Sequence, residues 1–168
     1  MRPFIRRVAL ATALALGLAG TALAQDVPAG EKPVDPYVQS NANANATPLA
    51  DRATFDAFGG KEGLVRIAAD TVDFSMADPR IKDIFATTDV PRLKRTLAEQ
   101  FCYVLGGGCA YTGRDMAAVH KDMGVTHRDF NALVENLQKA MDKAGVPFRV
   151  QNRLLAKLAP MQRSVVER

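Results

Sequence analysis

From Asp51 to the C-terminus, apolar residues recur at intervals of three and four, the spacing that gathers them on one face of a helix. No stretch shows the period-two alternation of a half-buried strand, so the pattern predicts an all-α domain. A short first helix over 54–58 is stopped by Gly59-Gly60. A longer one runs from Lys61 to about Met76, with Leu64, Ile67, Ala68 and Val72 on one face. Asp78-Pro79 begins a single turn ending near Phe85, because proline suits the first position of a helix, where its N–H would have no partner. Asp89 precedes the next helix, which has Pro91 near its start, aligns Leu93, Leu97, Phe101, Val104 and Leu105, and ends at Gly106-Gly107-Gly108. A brief helical stretch comes next, from Asp115 to about Met123, closed by Gly124. Thr126, with Asp129 three residues on, caps a helix whose stripe is Phe130, Leu133, Val134, Leu137 and Met141, up to Gly145. Pro147 opens the last helix, carrying Val150, Leu154, Leu155, Leu158 and Met161, and the chain has no internal repeat.

The N-terminal third has a different pattern. Arg2, Arg6 and Arg7 precede an uncharged run from Val8 to about Gly20, and Ala22 and Ala24 then supply the small side chains that a signal peptidase needs. This predicts a signal peptide over 1–24 and a periplasmic or secreted protein. The apolar run is short for a bilayer span, so no stable membrane insertion is expected after cleavage. From Gln25 to about Leu49 the chain has four prolines, a glycine, an Asn-Ala alternation and few large apolar residues, which predicts a flexible linker over 25–50 ahead of the domain over 51–168. With 168 residues and 48% apolar content there is room for one core. The formal charge of +4 includes the three signal arginines, and without them 19 basic residues face 18 acidic ones. A nearly neutral chain with no Lys/Arg stripe among aromatics is not expected to bind nucleic acid.

The chemistry narrows quickly. Of the two histidines, His120 and His127, neither forms a zinc-hydrolase pattern with a second histidine and a carboxylate. No nucleophile elbow is present, and the acidic residues lie among lysines and arginines on polar helix faces. His120 sits in a short apolar segment with Met116, Ala117, Val119 and Met123. An imidazole there is either a hydrogen-bonded core histidine or a metal ligand. A lone histidine facing a cavity between helix pairs, amid Met and Phe side chains, suits a flat apolar cofactor whose metal needs one axial nitrogen. His127, just inside the next helix, reads as a surface residue. Cys102 and Cys109 bracket the glycine-rich turn, and in an oxidising compartment a disulfide between them is favoured over two free thiols. The bridge would close a loop of about eight residues and stabilise by about 2.5 kcal/mol.

A series of short motifs then carries a resemblance. Phe58-Gly59-Gly60, Ala77-Asp78-Pro79 with Phe85 beyond, Leu105-Gly106-Gly107, Tyr111-Thr112-Gly113, Met116 to His120, Gly124-Val125-Thr126 with Phe130, Ala144-Gly145-Val146-Pro147 and Leu158-Ala159-Pro160 occur in order. From about Phe55 to Val166 the chain resembles the group I truncated haemoglobins. The resemblance implies a truncated globin with two helices packed over two around one haem b per chain. It implies His120 as the proximal iron ligand, Phe85 on the haem face, Leu93 and Leu97 on the distal side, and Phe101 deeper along that helix. Met116, Met123, Val125 and Phe130 complete the expected cofactor-binding set. It also implies a diatomic gas (O2, NO or CO) at the iron; a reductase is a candidate partner that no residue identifies. Two departures alter the expectation. Thr71-Val72 stands where many members have Phe-Tyr, and Leu97 where they often have glutamine, so the distal pocket of Thr71, Val72 and Thr96 lacks the usual hydrogen-bond donors. Thr96 also stands where some relatives supply a second histidine. No residue separates gas binding from nitric oxide or peroxide chemistry, or from an exported haem module for haem or electron transfer.

Overall fold

The computed structural model describes residues 27–168. The expected signal peptide lies outside the described residues. Among those described there are seven α-helices and no strand: α1 (Arg52–Ala57), α2 (Gly60–Ala77), α3 (Val90–Val104), α4 (Met116–His120), α5 (His127–Lys143), α6 (Phe148–Leu158) and α7 (Gln162–Val165). Short 3-10 turns occupy Asn41–Ala44, Lys82–Phe85 and Ala159–Met161. None of these helices is long and apolar enough to cross a membrane.

Several helices start where a side chain satisfies an amide that the helix leaves unpaired. Asp51, Asp89 and Asp115 accept from Ala53, Arg92 and Ala118 N–H, and Thr126 and Asp129 form a reciprocal capping box on α5. Each such cap is worth about 1 kcal/mol. At the corner between α1 and α2 only glycine fits at position 63, because a Cβ there would fall 1.9 Å from the Phe58 carbonyl oxygen.

The helices pack two over two. α2 lies against both α3 and α5, whereas α3 and α5 barely touch each other, and α6 packs across α5, α1 and α3. The core divides accordingly. A large cluster contains Phe55, Leu64, Ile67, Phe101, Met141 and Leu154. A smaller one contains Ala44, Tyr111, Met116, Val125, Met161 and Val165.

Three expectations are corrected. The last helix does not run unbroken from Pro147 to Met161: it leaves α-helical geometry at Leu158, because Pro160 offers no N–H to continue the ladder. The stretch expected from Asp115 to Met123 is helical only to His120, since Asp122 (φ 63) and Gly124 (φ 65) take left-handed conformations that reverse the chain. Residues 27–50, expected as a flexible linker, lie along the globular body with a defined set of contacts. Ala44 is fully buried. Asn41 Oδ1 accepts from Tyr111 N–H at 2.8 Å, Asn43 Nδ2 donates to the Gly113 carbonyl at 3.1 Å, and Asn45 Oδ1 accepts from Met116 N–H at 3.2 Å. Composition misled because it registers apolar content, whereas this segment is held by asparagine side chains that satisfy backbone groups of the loop before α4.

Candidate functional site

α4 is a single turn, and His120 is its last residue. Its Nδ1 lies 2.8 Å from the Met116 carbonyl oxygen. A carbonyl only accepts, so Nδ1 is the protonated nitrogen and Nε2 keeps its lone pair. Burial holds the His120 pKa below the ordinary imidazole value, against the opposing effects of the Met116 hydrogen bond and the Glu167 charge. The ring is therefore neutral near pH 7, with one nitrogen oriented and the other available as a ligand. α7 packs against α4, and the chain end ties down the turn beyond His120. Glu167 accepts from Gly124 N–H at 2.7 Å and donates its own N–H to the Val125 carbonyl at 2.9 Å.

The expected cofactor residues divide into groups. Phe85 ends the Lys82–Phe85 turn half-buried, as are Leu93 and Leu97 on α3 and Phe130 on α5. These apolar side chains sit on the turn before α3, on α3 itself and on α5. Met116 and Val125 are buried in the smaller cluster. Phe101, 1% exposed, is sealed inside the large one. In the short segment expected to face the interior, Met123 is 39% exposed and Val119 43% exposed. His127 is exposed in the first turn of α5.

Of the residues expected on the distal side, Thr71 and Val72 are buried in α2, and Thr96 is half-buried in α3. The Thr71 hydroxyl donates to the Ile67 carbonyl at 2.7 Å and that of Thr96 to the Arg92 carbonyl at 2.9 Å. Each hydroxyl has one proton, and both are committed to the helix backbone four residues earlier. Cys102 and Cys109 lie at disulfide distance, with Cα atoms 5.7 Å apart across the glycine turn.

Residues that sequence reasoning passed over also matter. Gln100 is buried in α3, donates to the Ala44 carbonyl at 3.3 Å and approaches the sulfurs of Met116 and Met161. Its signal in the chain was a glutamine set between the apolar positions Leu97, Phe101 and Val104. Asn136, on α5, is buried against Asp78, to which it donates at 3.1 Å, and the Arg80 guanidinium, the main cause, holds the Asp78 carboxyl well below the usual carboxylate range.

These residues suit a haem. No three His, Cys, Asp or Glu side chains gather among the described residues, so a metal bound at His120 would have to bring its equatorial ligands with it, as a porphyrin does. The half-buried apolar residues supply the surroundings that a macrocycle requires. A model of the bacterial-like globin family matches residues 53–167. The chain belongs to that family. It is 33% identical over 107 residues to a group 1 truncated haemoglobin of Mycolicibacterium paratuberculosis, a match covering 64% of this chain and 79% of the relative. With a group 1 truncated haemoglobin of Tetrahymena pyriformis it shares 31% identity over 77 residues, covering 46% of this chain and 64% of the relative. The Fe(III) form of a truncated haemoglobin from Tetrahymena pyriformis superposes with a TM-score of 0.65 at 23% identity, over 68% of this chain and 98% of that one. The 2/2 haemoglobin of Synechococcus sp. PCC 7002, in the cyanomet state with covalently attached haem, gives 0.64 at 23% identity over the same shares. The fold is thus the two-over-two truncated globin. As a group I truncated haemoglobin the protein is a haem-binding globin, of the family that takes diatomic gases at the iron.

Proposed function

We propose that this globin holds one haem b through His120 Nε2 as its only protein ligand, and that it takes a diatomic gas in a distal pocket without a side-chain donor. The observation that carries the reading is the hydrogen bond between His120 Nδ1 and the Met116 carbonyl, which leaves a neutral imidazole with Nε2 free. When bound, haem would supply an iron able to take the gas. The chain's own contribution on the distal side is apolar cover from Val72, Leu93 and Leu97, which excludes water. Because the hydroxyls of Thr71 and Thr96 are already donating to carbonyls, the charge that oxygen acquires on binding goes unanswered there. Carbon monoxide and nitric oxide depend far less on such a donor, so they suit this pocket better than stored oxygen. Redox cycling would require a reductase partner.

Export rests on the pattern from Arg2 to Ala24, and the cysteine pair at bonding distance fits an oxidising compartment. The central test is absorbance spectroscopy of the ferric, ferrous and ferrous-CO forms. A five-coordinate, histidine-ligated ferrous spectrum that converts to a CO complex is expected. A six-coordinate ferrous spectrum without added gas would overturn the single-ligand reading. Detection of the full-length or mature protein only in the cytoplasmic fraction would overturn export.

A further inference from the structure

We infer that residues 31–45, which precede the segment matched to the globin family, form a strap that sets the separation of α3 from α4, and that Asn45 is a positioning residue for His120. The inference rests on the reading of His120 as the haem ligand.

One end of the strap is clasped to the start of α3. The Glu31 side chain, 2% exposed, accepts from Arg95 through both carboxylate oxygens and pairs with Arg92 at 3.4 Å. Lys32 N–H donates to Asp89, the residue that caps α3, and Arg92 donates back to the Lys32 carbonyl. The other end reaches α4. Asn45 Oδ1 accepts the Met116 N–H, which as the first amide of α4 has no partner inside the helix. The carbonyl of the same Met116 accepts from His120 Nδ1. Asn45 thus holds the residue whose carbonyl orients the imidazole. Beside it, the Ala44 carbonyl receives the Gln100 side chain from α3 at 3.3 Å. Two adjacent residues therefore link the helix carrying Leu93 and Leu97 to the helix carrying His120, beside the point where Gln100 Nε2 also approaches the Met116 sulfur at 3.6 Å. Asn45 takes a left-handed conformation (φ 55), which asparagine tolerates better than most side chains and which lets it end the Asn41–Ala44 turn while its amide faces α4.

The test uses the full holoprotein with Asn45→Gly and Asn45→Asp. Glycine accepts φ 55 without strain but has no acceptor, whereas aspartate keeps an acceptor oxygen. Two quantities are read: the rate of haem loss to excess apomyoglobin, and the iron–histidine stretching band of the ferrous protein in resonance Raman. Asn45→Gly should lose haem about three to ten times faster, the range a single hydrogen bond supports, with a shifted or broadened band. Asn45→Asp should restore both. Native haem loss and an unchanged band in Asn45→Gly would overturn the inference. So would an Asn45→Asp variant that loses haem as fast as Asn45→Gly, which would mark a merely structural role. If Asn45→Gly does not fold, the Asn45→Asp band and haem loss decide alone, native values supporting the inference and altered ones overturning it. Failure of the ligand reading is separate: it would show as a histidine-ligated spectrum surviving in His120→Ala.

Discussion

The two flanks of the proposed gas site are built by different means. The distal helix α3 is 15 residues long, begins with an aspartate cap and Pro91, and turns Leu93, Leu97 and Phe101 to the apolar side and Arg92, Arg95 and Glu99 toward an ion-pair lattice. The proximal helix α4 has 5 residues, too few to hold a helix in water by itself. It is fixed from outside, by the Asp115 cap, by Asn45, by α7 and by Glu167. The long helix supplies shape and the short one supplies a nitrogen. Sequence changes should therefore tune the distal flank and abolish the proximal one.

The largest expected effect is at His120. In His120→Ala the histidine-ligated spectrum should be lost entirely, and its retention would remove the proximal assignment. Adding imidazole to that variant should restore a nitrogen-ligated spectrum if the pocket is intact.

The distal flank should respond in degree. A charge-assisted hydrogen bond to bound oxygen is worth about 1.5 to 3 kcal/mol, or about ten- to a hundredfold in rate. Val72→Tyr should accordingly slow oxygen dissociation by that factor in rapid-mixing experiments while changing carbon monoxide dissociation far less. A native rate that is already slow, and unchanged by the tyrosine, would mean that another donor serves the pocket.

The cysteine pair lies at disulfide distance between the last turn of α3 and the glycine loop, and loss of a bridge there should destabilise the fold while leaving the His120 spectrum intact. Replacing both residues with serine should cost about 2.5 kcal/mol in denaturant unfolding, and the native protein should resist alkylation unless reduced. Full alkylation without reductant would dismiss the bridge.

The smallest effect concerns pH and returns to the proximal side. Because burial depresses the His120 pKa in the folded apoprotein, the unfolded chain takes up the proton first. This contribution to stability is fully present above the unfolded imidazole value of about 6.5 and is lost as pH falls below it. The apoprotein's denaturation midpoint should decline across that range, and His120→Phe should flatten the decline. An unchanged slope would place the proton elsewhere.

Much of this architecture is legible in the chain. The stripes of α2, α3 and α5, the caps at Asp89 and Thr126 and the stop at Gly106-Gly107-Gly108 are local properties of a helix, written within a turn or two of where they act. The isolation of His120 among apolar neighbours, and the absence of a donor at Val72 and Leu97, are equally matters of residue identity and hold in any packing. What only the tertiary structure decided involves partners far apart in the chain. Residues 41–45 carry no apolar pattern, yet their asparagines meet the backbone of residues 111–116 at separations of 70 and 71 positions for the Asn41 and Asn45 bonds. The commitment of the Thr71 and Thr96 hydroxyls to helix carbonyls, and the exposure of Val119 and Met123, depend on rotamers and on packing. Helical periodicity is a short-range signal, whereas a hydrogen bond that closes a long loop leaves no spacing in the sequence by which to find it.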